Sequence, residues 1–383
     1  MLELHEIIGQ GSAIGRLRAN MSADRMPHAM IFAGPAGVGR RTTAMALAKM
    51  LLCENPQVGD GGLFAQAEEA PQELRPCGTC ESCRMMQAGS HPDFQLIYKE
   101  LARYHDEASV RNRVMQDLGI DVIRSFLTAP AYRASSRGRG KVFVVREAEL
   151  MSIAAQNSLL KTLEEPPRGV TIILLCQKPE QLLPTTLSRC SLLRFGPLPR
   201  DFVAEKLAQA DMGQGEASFW AAFTAGSIGR SVKLAQAGMY EIKCRVLEDL
   251  AGLGQAGDAK LGESLAKMTD KLAEQAVRQA KKVDGASLSK SLAARQATGA
   301  MLEIIASAYR DALARATGTP GQAVNADQPA VVETLAGKFS PTDLAEILQQ
   351  LSRYERLLWR NLNAKLVWDN VVITCASAAA LTV

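Results

Sequence analysis

Five short apolar runs mark the first half of the chain: His28 to Gly34, Phe94 to Tyr98, Val142 to Val145, Val170 to Cys176 and Leu192 to Phe195. They are continuously apolar rather than alternating, the pattern of strands buried on both faces, and the stretches between them are long enough for crossover helices. Thr42 to Leu52, directly after the first run, is rich in helix formers on all sides and predicts a buried helix. Residues 1–198 are therefore expected to form an α/β domain around a parallel sheet. After Gly196-Pro197-Leu198-Pro199 strand-like runs nearly vanish. Residues 201–254 show helical periodicity broken at Gly213 to Gly215 and at Gly226 to Gly229, which suits three or four short helices. Further helical segments are predicted at 259–283, 287–316 and 341–366, with a loop from Thr317 to Pro329 that carries Gly318, Pro320 and Gly321. There is no internal repeat of solenoid period.

Composition narrows the class without changing this picture. The 383 residues are 47% hydrophobic and 22% charged, ordinary globular usage for two or three domains. The apolar runs fall well short of the roughly 20 residues that span a bilayer, so no membrane association is expected. Met1 to Gln10 lack a basic cluster followed by an apolar stretch, and a cytoplasmic location is expected. There the eight cysteines are available for packing, metal binding or reactivity rather than disulfides. The formal charge of +4 is compatible with nucleic acid but does not argue for it, because a basic footprint is a local patch.

The turn Gly34-Pro35-Ala36-Gly37-Val38-Gly39-Arg40-Arg41-Thr42 has the glycine spacing of a P-loop, whose backbone N–H groups wrap phosphates. A working loop also needs a Lys that reaches the β/γ-phosphates and a Ser or Thr hydroxyl on Mg²⁺. Here those positions hold Arg40 and Arg41. Arginine keeps the charge but not the compact ammonium, and it cannot ligate a cation. Thr42 stands one residue later, roughly 100° around a helix. The loop reads as inactive or weakly nucleotide-binding, with ATP or ADP retention unsupported. The competing readings are a slipped but active loop and a plain glycine turn. Hydrolysis also needs an acidic strand end to hold Mg²⁺ and orient water, and Lys141 to Val145 instead runs into Arg146-Glu147. Glu147 alone reads equally well as a water-orienting base and as a solvent-exposed carboxylate.

Cys53, Cys77, Cys80 and Cys83 form a C-x23-C-x2-C-x2-C array, which predicts a structural zinc site of four thiolates. Its rivals are four unrelated thiols and an iron–sulfur cluster, although the C-x3-C-P continuation of ferredoxins is missing. Residues 54–76 read as a loop inserted between the first two ligands. Cys176, Cys190, Cys244 and Cys375 read as small buried side chains. Arg133, Arg137, Arg139 and Lys141 surround a glycine-rich loop, and their four charges suit either DNA phosphates or a solvated loop.

Asn157-Ser158-Leu159-Leu160-Lys161-Thr162-Leu163-Glu164-Glu165-Pro166-Pro167, followed by Leu187-Ser188-Arg189-Cys190, resembles the pair of signatures of bacterial DNA polymerase III clamp-loader subunits of the gamma/tau and delta-prime kind, an AAA+ family. The cysteine array after the P-loop-like helix, and Ala88-Gly89-Ser90-His91-Pro92-Asp93 before the second strand, are similar to the same family. The resemblance covers residues 28 to about 235 by motif and the remainder by length and helical character. It implies an AAA+ α/β domain at 1–198 with a zinc module at 53–83, a helical lid at 199–255, and a C-terminal helical collar at 256–383 that joins an oligomer. Within the family gamma/tau subunits carry intact nucleotide motifs and delta-prime commonly does not, so Arg40, Arg41 and Arg146 point to the delta-prime kind.

The same resemblance implies that Ser188-Arg189-Cys190 supplies an arginine finger to ATP in an adjacent subunit. The competing reading is an ordinary surface salt bridge. Arg230, in Gly226-Ser227-Ile228-Gly229-Arg230, looks like the second sensor arginine of AAA+ lids, or has a structural role alone. Implied partners are gamma/tau and delta subunits, with the sliding clamp and primer–template DNA engaged through the complex. The implied function is to assist ATP-driven clamp loading as part of a DNA-directed DNA polymerase assembly, with no intrinsic ATPase. The alternatives are an active gamma/tau-like ATPase and a zinc-dependent DNA-binding module. ATP binding by the isolated chain separates the first, and DNA binding without partners the second.

Overall fold

The computed structural model describes residues 2–59, 73–111, 117–254, 259–283, 288–319, 321–358 and 364–377. The chain divides into two compact units, 1–198 and 199–383. In the first, β1 (Ala29–Ala33), β4 (Phe94–Ile97), β5 (Lys141–Val145), β6 (Val170–Cys176) and β7 (Ser191–Arg194) form one parallel sheet in the order β4-β5-β6-β1-β7. The intervening β2 (Gln57–Gly59) and β3 (Glu73–Arg75) pair antiparallel in a separate ribbon. Alternate residues of β1 and β6 serve opposite faces of the sheet. Ala29, Ile31, Ala33, Ile172 and Leu174 pack with Ala155, Leu159 and Leu163, whereas Met30, Phe32, Ile173 and Leu175 pack with Ile14, Leu17, Ala44 and Leu47. Burial of both faces explains the continuous apolar runs, with each fully buried aliphatic side chain worth about 1.5–3 kcal/mol. This is the expected AAA+ P-loop-type α/β arrangement, with the glycine-rich turn leaving the strand between β6 and β7.

Local sequence sets the helices around the sheet. The helix Arg40–Leu52 begins two residues before the predicted Thr42 because Gly39, in the left-handed region at φ 102°, forms its N-cap. Ser152 caps Ile153–Glu164 by accepting from the Ala155 N–H at 3.1 Å. Gln10 leads into the helix Gly11–Ser22 and lies buried, its amide donating to Gly196 O at 2.8 Å and Val38 O at 3.1 Å. It thereby ties the glycine-rich turn to the end of β7.

The second unit contains only helices among its described elements. Arg200–Ala208, Gln214–Phe223, Ile228–Gln236 and Met239–Ala251 pack around Phe219 and Trp220, whose rings meet edge to face at 4.8 Å. Beyond them run Ala259–Val283, Lys290–Ala316, Pro329–Lys338, Pro341–Leu358 and Ala364–Ser377. The helix at 329–338 was not predicted; of the anticipated 341–366 segment, Pro341–Leu358 and the start of Ala364–Ser377 are helical, and 359–363 lie outside the described residues. Lys243 is fully buried and donates to Asp327 at 2.6 Å, and Tyr240 donates to the same carboxylate oxygen at 2.9 Å. A buried charge is tolerated here because it is paired and its ammonium lies over the Phe219 ring, 4.3 Å from the centroid.

Candidate functional site

The glycine-rich turn holds its shape through close packing. Gly34 has φ 151° and donates to Cys176 O at 3.1 Å, and a Cβ there would collide with the Phe195 carbonyl. Gly37 and Gly39 also have positive φ. The three glycines thus take the positive φ that lets the turn close tightly, while the side chains after it are wrong for Mg²⁺. Arg40 is partly buried near Glu149 and Glu147, and burial lowers its pKa despite the opposing pull of those carboxylates. Arg41 and Thr42 are exposed. The next hydroxyl, Thr43, is buried and donates back to Gly39 O at 3.0 Å, so it is spent on the helix backbone.

The strand end beside this turn carries the wrong charge. Arg146 donates its backbone N–H to Ile97 O at 2.8 Å and lays its guanidinium over the Tyr98 ring, 5.6 Å from the centroid. Glu147 is exposed with φ 49°, while Glu149 accepts the Gln177 N–H at 3.1 Å. Cys176, buried and beside Glu149, is pushed up to about 12 and stays a neutral thiol.

The four cysteines converge. All four sulfurs lie within 4.8 Å of one another, with Cys53 Sγ 3.6 Å from Cys77 Sγ and 4.0 Å from Cys80 Sγ. Cys53 follows the helix Arg40–Leu52, and Cys80 caps Glu81–Ala88 by accepting the Cys83 N–H at 3.4 Å. The Cys77 N–H points at Cys53 Sγ and the Cys80 N–H at Cys77 Sγ, both at 3.3 Å. Backbone donors aimed at sulfur stabilise thiolates, so the donor set fits a soft divalent cation held by four sulfurs with no open position. Of the inserted stretch 54–76, the ends pair as β2 and β3, and 60–72 lie outside the described residues.

One shell out from the sulfurs, a polar network missed by sequence reasoning joins this module to the sheet. His91 Nδ1 accepts the Asp93 N–H at 3.0 Å, so Nε2 carries the proton and donates to Ser82 Oγ at 2.5 Å. The Asp93 carboxylate accepts the N–H groups of Ser136 at 2.7 Å and Arg137 at 2.9 Å. Arg137 pairs with Glu81 and lies 3.9 Å from Glu54. Lys141 is buried and donates to Pro130 O at 2.8 Å. Two of the four clustered cations are thus committed within the chain, and Arg133 and Arg139 are the exposed pair. The weak signal in the sequence was the pair of carboxylates flanking cysteines, Glu54 and Glu81.

Ser188, Arg189 and Cys190 lie on the turn between the short helix Pro184–Leu187 and β7. Arg189 donates from Nε to Glu164 Oε1 at 2.7 Å, pairs with the same oxygen through Nη2, and donates from Nη1 to Thr185 O at 2.9 Å and Ser188 Oγ at 3.2 Å. Burial pushes the Cys190 thiol up to about 12, making it a packing group rather than a nucleophile. Arg230, near the start of the helix Ile228–Gln236, pairs with Glu303 and lies over the Phe223 ring at 5.4 Å.

Fold and sites together define an AAA+ P-loop-type protein with a four-cysteine cluster and a nucleotide turn that lacks the Mg²⁺-binding side chains. The family described as DNA polymerase III, delta subunit, matches residues 9–199, and that described as DNA polymerase III, delta subunit, C terminal, matches 269–375. The DNA polymerase III subunit delta' of Escherichia coli is 30% identical over 87% of this chain and 83% of its own. The tau subunit of the same organism is 34% identical over 48% of this chain and 24% of its own. A solved gamma-subunit-related protein from Thermotoga maritima aligns over 97% of this chain and 99% of its own at 17% identity, with a TM-score of 0.39. The chain belongs to the delta-prime family of DNA polymerase III clamp-loader subunits. Among the described residues no helix is long and apolar enough to cross a membrane.

Proposed function

We propose that the chain is a non-hydrolysing member of a hetero-oligomeric clamp loader and lends Arg189 to ATP bound in an adjacent gamma/tau-type subunit. Its other partners would be a delta subunit, with the sliding clamp and primer–template DNA engaged through the complex in the cytoplasm. In this reading residues 199–255 act as the lid and 256–383 as the oligomerising collar. Zn²⁺ held by Cys53, Cys77, Cys80 and Cys83 supports the fold around the P-loop-like helix. The observation that carries the proposal is the contrast between two arginine sites. Arg40 is folded in among its own chain's carboxylates where a nucleotide-binding lysine belongs, whereas Arg189 is one-third exposed on a turn, held by a partly exposed carboxylate. The turn leaves part of the guanidinium open to solvent, so Arg189 can meet an incoming anion without leaving Glu164. A guanidinium supplied across an interface stabilises the charge that develops on the transferring phosphoryl group by a factor of roughly 10³ to 10⁵.

The test is to assemble the complex with wild-type or Arg189→Ala chain and compare ATP hydrolysis and clamp loading at matched assembly and zinc content. A partial loss of hydrolysis with a larger loss of loading supports the proposal, because only the facing site loses its arginine while loading needs the sites together. Equal rates would reduce Arg189 to a surface salt bridge.

A further inference from the structure

We infer that Glu164 is the positioning residue for Arg189, holding one edge of its guanidinium so that the other meets a phosphate from outside the chain. The inference rests on the finger reading above. Glu164 and Arg189 are 25 positions apart and belong to different sequence signatures, and the fold brings them together.

The bonding around Arg189 is edge-specific. A guanidinium has five N–H donors in a fixed plane. Its Nε and Nη2 both address Glu164 Oε1, which occupies the side edge. Nη1 is held by Thr185 O at 2.9 Å and, more loosely, by Ser188 Oγ at 3.2 Å. Nη2 thus keeps a second hydrogen with no partner among the described residues, and the longer of the two Nη1 bonds is the one to Ser188. Giving up the Ser188 hydroxyl would let Nη1 join Nη2 in meeting phosphate oxygens, with Glu164 still in place. That hydroxyl has its own acceptor in Thr185 O at 3.2 Å, so it is not stranded.

The position of Glu164 also calls for an explanation. It is the final residue of the helix Ile153–Glu164, where the helix dipole disfavours an anion. The cation beside it offsets that penalty, and the rigid helix end gives Arg189 an anchor that a loop carboxylate would not. An unanchored arginine would spread over many rotamers and lose the alignment on which its contribution depends.

The experiment is a double-mutant cycle in the assembled complex: wild type, Glu164→Gln, Arg189→Ala and the double variant, compared by single-turnover ATP hydrolysis across a range of ATP concentrations. Gln keeps an oxygen acceptor of the same reach without the charge. Glu164→Gln should lower the maximal rate at the facing site roughly 10- to 100-fold, the scale of a misplaced catalytic group, with little change in half-saturating ATP. Glu164→Asp should recover part of the loss. In the Arg189→Ala background Glu164→Gln should have no further effect, because the two act as one unit. Assembly and zinc content matched across all four exclude general misfolding. If Arg189→Ala lowers the rate and Glu164→Gln leaves it unchanged, raises it, or lowers it equally in both backgrounds, the positioning role is overturned and the finger reading stands. If Arg189→Ala has no effect, both fall.

Discussion

Asp93 accepts the backbone N–H of Arg137 at 2.9 Å, while the guanidinium of Arg137 pairs with Glu81, next to Cys80. One residue thus joins the arginine-rich loop both to the sheet and to the cysteine cluster. Removing the metal, or replacing Cys80 with Ser, should loosen more than the ligands' own segment. Amide exchange is expected to rise at Ser136 and Arg137 as well as across residues 73–90, alongside a fall in zinc content. Unchanged protection at Ser136 and Arg137 in the metal-free chain would separate loop from cluster.

The same network titrates. Burial lowers the His91 pKa from the ordinary 6.5, so the neutral ring is favoured in the folded chain. Its Nδ1 can accept the Asp93 N–H only while unprotonated. The unfolded chain therefore binds more protons than the folded one below pH 6.5, and stability is lost as pH falls from there through the lowered folded value. Urea unfolding at a series of pH values should show this acid limb, and His91→Gln should flatten it.

In the helical unit, the Lys243–Asp327 pair predicts an asymmetric response to mutation. Asp327→Ala leaves an unpaired ammonium in a fully buried position and should cost about 3–5 kcal/mol. Replacing both partners by apolar side chains of similar volume should cost far less. Chemical denaturation of the single and double variants measures the difference.

ATP hydrolysis by the purified chain should remain below the roughly 1 s⁻¹ floor of ordinary enzymes. Arg41→Thr alone should not raise it, because Arg146 still stands at the strand end and Thr43 is already bonded to Gly39. Turnover by the single variant would show that one defect, not two, silences the site.

How far these features were legible in the sequence depended on how local their causes are. The strands of the main sheet could be read because burial on both faces leaves continuous apolar runs. The cysteine cluster could be read because three ligands lie at a spacing of three, which a short turn brings together. The ribbon of β2 and β3 could not, since three-residue strands carry too little pattern. The helix Pro329–Lys338 was obscured by the Gly- and Pro-rich segment before it, although Pro at its first position favours a helix start. Arg137 and Lys141 looked free because their partners Glu54, Glu81 and Pro130 come from other segments. Glu164 was visible only as part of a signature, and its contact with Arg189 is a product of the fold.

The central claim, that this chain contributes a guanidinium rather than a nucleotide site, is tested most directly by Arg189→Lys in the assembled complex. Lysine preserves the charge but lacks the planar fork that engages two phosphate oxygens while resting on Glu164. ATP hydrolysis at the facing site should fall nearly as far as with Arg189→Ala. A lysine variant that hydrolyses ATP and loads clamps at the wild-type rate would contradict the account.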